Sequence, residues 1–561
     1  MAASSTSNGQ RIRFGTSGFR GRWGIEYTEE TVRATAQGIC DHLAERGLGG
    51  QHVVVGFDSR RYADQAADWV ASVCLANGFR VHLASRDTPT PALAYHATVG
   101  LQDCQVGGII NCTASHNPIE WHGIKFSPGS GAPAPPAATD AVTKYANHHI
   151  DAQTRIPRHN LEDARARGRL QRFDPIDAYC QWLLDAGKED ARIPIDIDAI
   201  ADYFSSNCGI VIDEMHGAGR GYMPWLFDRI GVQYTLLHGT KDELLGGLHA
   251  ANPEAPNIDL LKSTVIEESA AVGLGLDTDA DRYGIVSSNG AYVWPNRILN
   301  LLTYSMGVDR GITGRLSMSF VTTHLIDDIA KDIPGNELNQ PQSGTLPPHM
   351  HDKTYQVYVG DPLSLAPKHS FYVPTGLKNL VLVPQMDREY KMLDPKPEQW
   401  MDKLLLAGEE AAGLTTRGHV PDKDGIWANL LVLDMMARYR MTLDELWDHV
   451  TAKYWRPEFG RIYVPAAPGA STLLIDTYLD ELAGKSADVG SFAGFPVRYL
   501  GGIPGEYAEF RLLDETGADT SFLHIRPSGT EPLIRVYIET SSKRVLLAIQ
   551  KKIKADAASI P

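Results

Sequence analysis

The sequence is poor in cysteine and has no long apolar run. Its 561 residues include six cysteines, none of them in a Cys-x-x-Cys pair, so neither a zinc ribbon nor a disulfide scaffold is predicted. We expect these thiols to be small buried side chains in a reducing compartment. No stretch approaches the roughly 18 consecutive apolar residues that a membrane helix requires, and residues 1–10 lack the features of a signal peptide. These absences predict a cytoplasmic protein with no membrane partner.

Positive charge is also scarce. Lysine plus arginine number 53 against 68 acidic residues, a formal net charge of −15, which argues against non-specific binding of nucleic acid. An anionic ligand would therefore need a local basic pocket. The hydrophobic fraction of 43% and the charged fraction of 22% are typical of folded globular proteins, and the length predicts about three or four domains.

Short apolar runs alternate with longer amphipathic stretches, which is the pattern of parallel α/β architecture. Three of the runs end in an aspartate that precedes a polar or glycine-bearing loop: 52–58, 209–213 and 272–277. Because ligands gather at the carboxyl ends of parallel strands, chemistry is expected at these aspartates.

The second half contains an irregular segment and a change of pattern. Residues 334–374 carry seven prolines and little periodicity, which predicts an insertion or a loop-rich segment. Apolar residues at helical steps after Asp424 predict a helix with Asp434 at its rim. From about Phe459 the pattern favours strands and two helices, ending in a strand at 533–540 and a helix at 541–557, and this predicts a smaller α+β domain.

The first candidate site follows the apolar run Gly108-Ile109-Ile110. The loop contains Ser115 and His116, and Lys125 stands ten residues after the serine. A serine beside two basic groups can hold a phosphoryl group, because the basic groups neutralise its charge. Taken alone, Ser-His-Asn-Pro is also ordinary turn chemistry.

The second candidate site is the sequence Asp277-Thr278-Asp279-Ala280-Asp281-Arg282. Carboxylates at alternating positions supply the hard oxygen ligands that Mg²⁺ prefers. An EF-hand loop is excluded, because Arg282 would occupy its glycine position and Ser288 its bidentate glutamate position. Three solvated surface acids are the alternative interpretation.

Two further segments could bind a substrate. Residues 526–532, followed by Arg535, combine a Ser-Gly-Thr loop with arginines at both ends, which is typical of a phosphate cradle. Taken alone, the loop could also be an ordinary turn between strands. Glu409 and Glu410 lie in a glycine-bounded segment whose carboxylates could accept hydrogen bonds from sugar hydroxyls. The glycine-rich stretch around Arg20 is a weaker signal.

These segments, in this order and at these spacings, resemble the α-D-phosphohexomutase superfamily, the phosphoglucomutases and phosphomannomutases. The resemblance extends over almost the whole chain and implies an α/β fold of four domains around a central cleft. Three similar α/β domains with mixed sheets would precede a C-terminal α+β domain. The implied phosphoserine-bearing, metal-binding, sugar-recognition and phosphate-binding domains are 1–195, 196–308, 309–457 and 458–561.

The resemblance also implies an activity and its cofactors. The chain would be an isomerase that moves a phosphoryl group between the 1- and 6-positions of a hexose phosphate through a phosphoserine and a bisphosphate. It would need Mg²⁺ and a sugar bisphosphate as primer, with a small phosphosugar as its partner. A monomer or a small homo-oligomer is expected.

Each functional role is implied for particular residues. Ser115 would carry the phosphoryl group, and the ligands of Mg²⁺ would be Asp277, Asp279, Asp281 and an oxygen of phosphorylated Ser115. Acid, base and charge-stabilising roles would belong to Arg20, His116, Lys125 and Lys423. Substrate binding would involve Arg282, Lys378, Glu409, Ala411, His419, Arg526, Ser528, Gly529, Thr530 and Arg535. The basic members are expected to converge on one cleft, which would focus positive charge on an acidic protein.

The sequence departs from the superfamily pattern at two loops. Ala411 stands where a serine is usual in the sugar loop, and His122 stands where an asparagine is usual. The missing hydroxyl leaves open a hexosamine, a modified hexose or a pentose as substrate. Two other hypotheses are an aspartate-nucleophile phosphatase, suggested by Asp277-Thr278-Asp279 after a strand, and a non-catalytic sugar-phosphate sensor.

Overall fold

The computed structural model describes most of the chain. The described residues are 11–15, 18–188, 192–207, 209–248, 250–318, 321–334, 357–358, 404–465, 473–478, 490–503, 507–513, 519–527 and 533–559. Lys378, Ser528, Gly529, Thr530 and nearly all of the predicted loop-rich segment 334–374 lie outside them. The chain divides into two compact units, the first comprising 1–295, 314–317 and 376–446 and the second 296–313, 318–375 and 447–561.

The first unit begins with a seven-stranded mixed sheet. Its strands, in spatial order, are Phe14–Gly15, Gly18–Arg22, Trp121–Pro128, Val106–Cys112, His52–Phe57, Arg80–Ala84 and Leu170–Phe173. Its helices are Glu29–Glu45, Ala63–Ala76, Thr90–Tyr95, Pro136–Asp151, Leu161–Ala166 and Ile176–Leu184. The central strands pair in parallel, and their inward Val, Ile and Leu side chains are buried, as expected for strands covered by helices.

A second, five-stranded sheet follows in the same unit. Its strands, in spatial order, are Tyr292–Val293, Tyr283–Ser287, Val272–Leu276, Ile210–Asp213 and Tyr234–Leu237. Its helices are Ile197–Asn207, Tyr222–Ile230 and Asp259–Glu267. The structure confirms that strands lead into Asp58 and Asp277 and that a strand ends at Asp213.

The first unit also contains an antiparallel hairpin, formed by strands Leu404–Glu409 and Gly413–Thr416. Helix Gly425–Tyr439 follows, and Asp424 caps its start by accepting the N–H of Trp427 at 2.9 Å. The prediction of this helix is confirmed, but the prediction of Asp434 at its rim is wrong. Asp434 is buried, because its carboxylate accepts the backbone N–H of Asp196 at 2.6 Å and pairs with Arg438 at 2.9 Å.

The second unit ends in a six-stranded antiparallel sheet. Its strands, in spatial order, are Glu458–Pro465, Leu533–Thr540, Asp519–Pro527, Tyr507–Leu513, Phe495–Ile503 and Gly490–Phe492. Helix Lys543–Ser559 packs on it, burying Leu546, Ile549 and Ile553 in its core. The described residues also form helices Pro295–Thr303, Leu325–Lys331 and Leu443–Lys453 and strands Arg315–Met318 and Val357–Tyr358. The predicted α/β class is confirmed: the first two sheets are mixed and flanked by helices, and the last is antiparallel with a helix.

Within the described ranges, no helix is both long and apolar enough to cross a membrane. The cysteines of these ranges are free thiols: Cys40, Cys74, Cys112 and Cys180 are buried, and Cys104 is partly exposed.

Three histidines form a row, with His52 and His82 on strands of the first sheet and His96 on a helical segment beside it. Nδ1 of His52 lies 2.8 Å from Nε2 of His82, the ring of His96 follows at 5.5 Å, and His96 stacks on Phe173 at 3.7 Å. Burial, with the neighbouring histidine as a smaller cause, lowers the pKa of His82 and of His96 to about 4. The folded protein therefore holds both rings neutral.

We expect this row to make the protein sensitive to acid. The unfolded state binds more protons than the folded state between the ordinary histidine pKa of about 6.5 and about 4, so stability falls as the pH falls through that window. Replacing His82→Gln keeps a neutral hydrogen-bonding group and should reduce the loss of thermal midpoint between pH 7 and pH 5 by roughly 2–4 °C. Equal losses in the two proteins would contradict the prediction.

Candidate active site

Ser115 is held in a bent loop directly after strand Val106–Cys112. Its φ of 51° lies in the left-handed region, which is uncommon outside glycine. Its N–H donates to Oγ1 of Thr113 at 2.8 Å, and the residue is buried. The hydroxyl of Ser115 donates to Oδ2 of Asp277 at 3.1 Å and lies 3.4 Å from Nδ1 of His116. The predicted phosphoryl carrier therefore contacts the predicted metal loop.

The three aspartates of the metal loop lie between the antiparallel strands Val272–Leu276 and Tyr283–Ser287. All three are buried, and one carboxylate oxygen from each lies within 4.8 Å of the others. They are not the solvated surface acids of the alternative interpretation. Among the described residues, no other group of acidic, histidine or cysteine side chains meets this spacing.

The donor set fits a divalent cation. Oδ1 of Asp279 and Oδ1 of Asp281 are buried and accept no hydrogen bond from the described residues. A buried carboxylate oxygen without a partner is costly, and Mg²⁺ prefers such oxygens as ligands. Asp277, Asp279 and Asp281 are therefore suited to hold Mg²⁺.

Two lysines compensate part of the negative charge. Nζ of Lys125 lies 2.5 Å from Asp279 and 2.8 Å from Asp281, and Nζ of Lys423 lies 3.2 Å from Asp281. Burial alone would lower the pKa of Lys125, but the two carboxylates outweigh it and raise that pKa above its ordinary value. Burial would raise the pKa of Asp281, but Lys125, Lys423 and Arg282 outweigh it and lower that pKa.

Asp277 differs from its neighbours. Burial, followed by the negative charges of Asp281 and Asp279, raises its pKa well above the ordinary value. Its Oδ1 accepts the backbone N–H of Arg282 at 3.1 Å, so both carboxylate oxygens are engaged. Within the metal loop, ionisation is therefore disfavoured at Asp277 and favoured at Asp281.

His116 and Arg20 flank the serine loop. Burial lowers the pKa of His116 well below its ordinary value, and the cations of Arg282, Arg20 and Lys423 lower it further, so its ring is neutral. Burial, followed by the cation of Arg282, lowers the pKa of Arg20 to about 10. Arg20 stays charged at neutral pH, and its Nη1 donates to Oδ1 of Asn117.

The predicted sugar loop is the turn of the hairpin 404–416. Glu409 ends the first strand, Ala411 lies in the turn, and Lys423 lies 3.8 Å from the Glu409 carboxylate. A Cβ atom at Gly413 would come 2.3 Å from the side chain of Lys423 and 2.7 Å from that of Glu409. The glycine therefore makes room for Lys423 over the hairpin.

His419 lies inside the protein, and its contact with substrate stays a prediction. Its side chain is fully buried between the rings of Trp182 and Trp427, both at 4.9 Å. Its Nε2 lies 2.7 Å from Oδ2 of Asp424, an atom that also accepts the hydroxyl of Tyr179. His419 therefore contacts the residue that caps helix Gly425–Tyr439.

The predicted phosphate arginines lie in the second unit. Arg526 and Arg535 are direct cross-strand partners, and Nη2 of Arg526 donates to the hydroxyl of Tyr537 at 3.1 Å. The connecting residues Ser528, Gly529 and Thr530, like Lys378, lie outside the described residues, and their substrate roles stay predictions. The convergence of all the basic residues on one cleft also stays a prediction.

Sequence reasoning missed two residues that hold the site together. Thr90 binds Asp279 twice, with its N–H to the backbone oxygen at 3.0 Å and its hydroxyl to Oδ2 at 2.6 Å. Arg60 is buried behind the serine loop and donates to its carbonyl groups. In the sequence, Arg60 is marked only by its position two residues after Asp58, the aspartate that ends the apolar run 52–58.

Four family models match the chain in order. They describe phosphoglucomutase/phosphomannomutase alpha/beta/alpha domain I at residues 11–152, domain II at 194–290, domain III at 370–454 and the C-terminal domain at 503–555. Together they account for more than half of the sequence.

Individual proteins are similar over nearly the full length. The chain is 27% identical to a phosphoglucomutase of Komagataeibacter xylinus, over 96% of this chain and 90% of the relative. It is 30% identical to a phosphoglucosamine mutase of Streptomyces coelicolor, over 94% of each. The solved structure of parafusin, a phosphoglucomutase from Paramecium in its open form, covers 99% of this chain and 95% of its own at a TM-score of 0.70 and 21% identity. At that identity the last similarity concerns the fold alone.

Proposed function

Because this chain belongs to the phosphoglucomutase/phosphomannomutase family, we propose that it is a phosphohexomutase that moves a phosphoryl group between positions 1 and 6 of a hexose phosphate. The observation that carries the proposal is the contact between Ser115 and Asp277 at 3.1 Å, within a buried group of three carboxylates. Phosphoryl transfer needs a positioned nucleophile next to concentrated charge neutralisation. The geometry supports both requirements.

In the proposed cycle, Ser115 carries the phosphoryl group. Its O–P bond breaks as a sugar hydroxyl oxygen bonds to phosphorus, which gives a sugar bisphosphate. The bisphosphate reorients and returns its other phosphoryl group to the serine oxygen. The enzyme ends phosphorylated as it began, and a sugar bisphosphate is needed only to prime it.

Protons move with each transfer. In the first transfer the proton of the attacking sugar hydroxyl ends on the serine oxygen, and in the second transfer it returns to a sugar oxygen. Lys423, which lies between Asp281 and Glu409, is proposed to stabilise the charge that develops at the sugar oxygen. Neutral His116, 3.4 Å from the Ser115 hydroxyl, is proposed to accept the serine proton in the second transfer and to pass it to the sugar oxygen that leaves phosphorus. General acid–base groups need this hydrogen-bonding reach.

Charge on the transferring group is neutralised by cations. Lys125, Arg20 and Arg282 are proposed to stabilise the equatorial oxygens, because the three are drawn together by the acidic loop. Mg²⁺ held by the three aspartates and an oxygen of phosphorylated Ser115 would withdraw charge from the phosphoryl group.

Substrate orientation is proposed to come from two places. Glu409 and the turn at Ala411 would bind the sugar hydroxyls. Arg526, Arg535 and the loop residues Ser528, Gly529 and Thr530 would bind the phosphate that does not react, with Lys378 as a further contact. Closure over the bound sugar would exclude water, which would otherwise hydrolyse the phosphoserine.

A hexosamine phosphate is the second candidate substrate. The missing hydroxyl at Ala411 and the 30% identity to a phosphoglucosamine mutase favour it. The aspartate-nucleophile phosphatase is disfavoured, because both oxygens of Asp277 accept hydrogen bonds and because that mechanism leaves Ser115 without a role. A cytoplasmic location and a monomeric or small homo-oligomeric state complete the proposal.

The test is a panel of 1-phosphates of hexoses, N-acetylated and free hexosamines, and pentoses. Each is assayed with Mg²⁺ and its matching bisphosphate, and formation of the isomeric phosphate is followed by phosphorus NMR. We expect glucose or mannose 1-phosphate to give the highest kcat/KM, at least about tenfold above a pentose phosphate. A preference for hexosamine phosphates would select the second candidate. No isomerisation of any member would contradict the proposed function, whereas release of inorganic phosphate would favour the phosphatase.

A further inference from the structure

A buried arginine holds the serine loop from behind. Arg60 follows strand His52–Phe57, and its side chain is 1% exposed. Nη1 donates to the backbone oxygens of Pro118 at 2.8 Å and Trp121 at 3.2 Å. Nη2 donates to the backbone oxygens of Ser115 at 2.5 Å and Asn117 at 2.6 Å. One guanidinium group therefore binds four carbonyl groups of a single loop.

Asp58 links this group to the conformation of Ser115. Its Oδ2 lies 3.3 Å from Nε of Arg60 and accepts the hydroxyl of Thr113 at 2.6 Å, and its Oδ1 accepts the N–H of Arg60 at 3.0 Å. Oγ1 of Thr113 in turn accepts the N–H of Ser115 at 2.8 Å. The two ends of the loop are thus tied to the same ion pair.

Such support is needed at this position. The φ of 51° at Ser115 is a sparsely populated conformation for a residue with a side chain, and it persists only where the surroundings over-determine it. The same conformation brings the Ser115 hydroxyl to Asp277 at 3.1 Å. Four carbonyl groups, that of Ser115 buried and the other three partly buried, would lose their donor if the guanidinium group were removed.

We propose that Arg60 is a positioning residue that fixes Ser115 in its transfer geometry without touching the substrate. The planar fork of arginine is essential to this role, since a lysine offers a single point of charge and does not reach four acceptors in one plane. This inference rests on the proposed function, in which Ser115 carries the phosphoryl group. Arg60 belongs to none of the motifs found in the sequence, so its role is an additional requirement for catalysis.

The experiment compares Arg60→Ala and Arg60→Lys with Arg169→Ala. Arg169 is a matched control, because its guanidinium also donates to two backbone oxygens, those of Leu75 and Phe79, in the same sheet domain. We expect kcat to fall about 100-fold or more in both Arg60 variants with KM changed less than about threefold, because displacement of a reacting group by about 1 Å can cost that much. Arg169→Ala should keep kcat within about twofold.

Hydrogen exchange provides a readout that does not depend on catalysis. The backbone amides of residues 113–121, followed by mass spectrometry, should exchange at least about tenfold faster in the Arg60 variants and at the wild-type rate in Arg169→Ala. If Arg60→Ala does not fold, Arg60→Lys carries the test. A kcat within threefold of wild type in Arg60→Lys, or unchanged exchange in the loop, would overturn the proposal.

The same design separates the two proposals. A wild-type protein that isomerises no phosphosugar would contradict the proposed function, and the hydrogen-exchange comparison would still test whether Arg60 holds the loop. Normal wild-type turnover with unaffected Arg60 variants would contradict only the positioning role.

Discussion

Replacing Ser115→Ala is expected to lower kcat by at least about 10⁴-fold, because the variant loses the atom that carries the phosphoryl group. The side chain is buried and its change is a single oxygen, so the thermal midpoint should stay within a few degrees. The measurement is isomerisation of the preferred hexose 1-phosphate under saturating bisphosphate.

The matched control is Ser72→Ala. Ser72 is another buried serine of the first sheet domain, and its hydroxyl donates to the backbone oxygen of His159 at 2.8 Å. Its replacement should leave kcat unchanged. Phosphopeptide mapping after incubation with labelled bisphosphate should find label on Ser115 in the wild type and none in the variant. A Ser115→Ala enzyme with a tenth of wild-type activity, or label on Asp277, would refute the phosphoserine mechanism.

Replacing Asp277→Asn is expected to lower kcat by about 10³-fold while the metal-free protein keeps or gains thermal stability. The carboxylate is buried beside two others, and both burial and their charges disfavour its ionised form, so a neutral amide is well tolerated there. The same change removes a proposed ligand of Mg²⁺ and the acceptor of the Ser115 hydroxyl. Function and stability should therefore move in opposite directions, as is common for active-site charges.

The measurement is the thermal midpoint with EDTA and with excess Mg²⁺. Binding at about 100 times the dissociation constant stabilises a protein by about 2.7 kcal/mol, so the wild type should gain several degrees and Asp277→Asn much less. The control is Asp434→Asn, a buried acid paired with Arg438 away from the metal loop. That variant should lose stability and keep the Mg²⁺ response. An unchanged Mg²⁺ shift in Asp277→Asn would contradict the assignment.

The sequence was most informative where candidate catalytic or metal-binding residues come directly after a predicted strand. Ser115 and Asp277 stand directly after apolar runs, so pattern and residue type together indicated their surroundings, and the structure brings the two into contact. The alternation of short strands and helices likewise sufficed for the α/β class. Both are local properties of the chain.

The sequence was less informative where a role depends on packing. His419 is a polar residue near the sugar loop, and only the flanking indoles of Trp182 and Trp427 reveal that it is enclosed. Asp434 follows the helical period of a surface position, yet a backbone N–H from residue 196 makes its burial favourable. Arg60 binds backbone carbonyl groups, which every residue possesses. The identities of its partner residues therefore do not reveal the contact.

The two lysine contacts of Asp281 also bear on biosynthesis. Lys125 precedes the acidic loop in the chain, whereas Lys423 follows it by about 140 residues. At roughly 5–20 residues per second, the ribosome needs on the order of 10–30 s to add that stretch. During this interval the nascent chain already contains the three aspartates, and Lys125 is available from the start to compensate them. Vectorial synthesis therefore makes the first of the two lysine partners of Asp281 available when the acidic loop is made, and the second about 140 residues later.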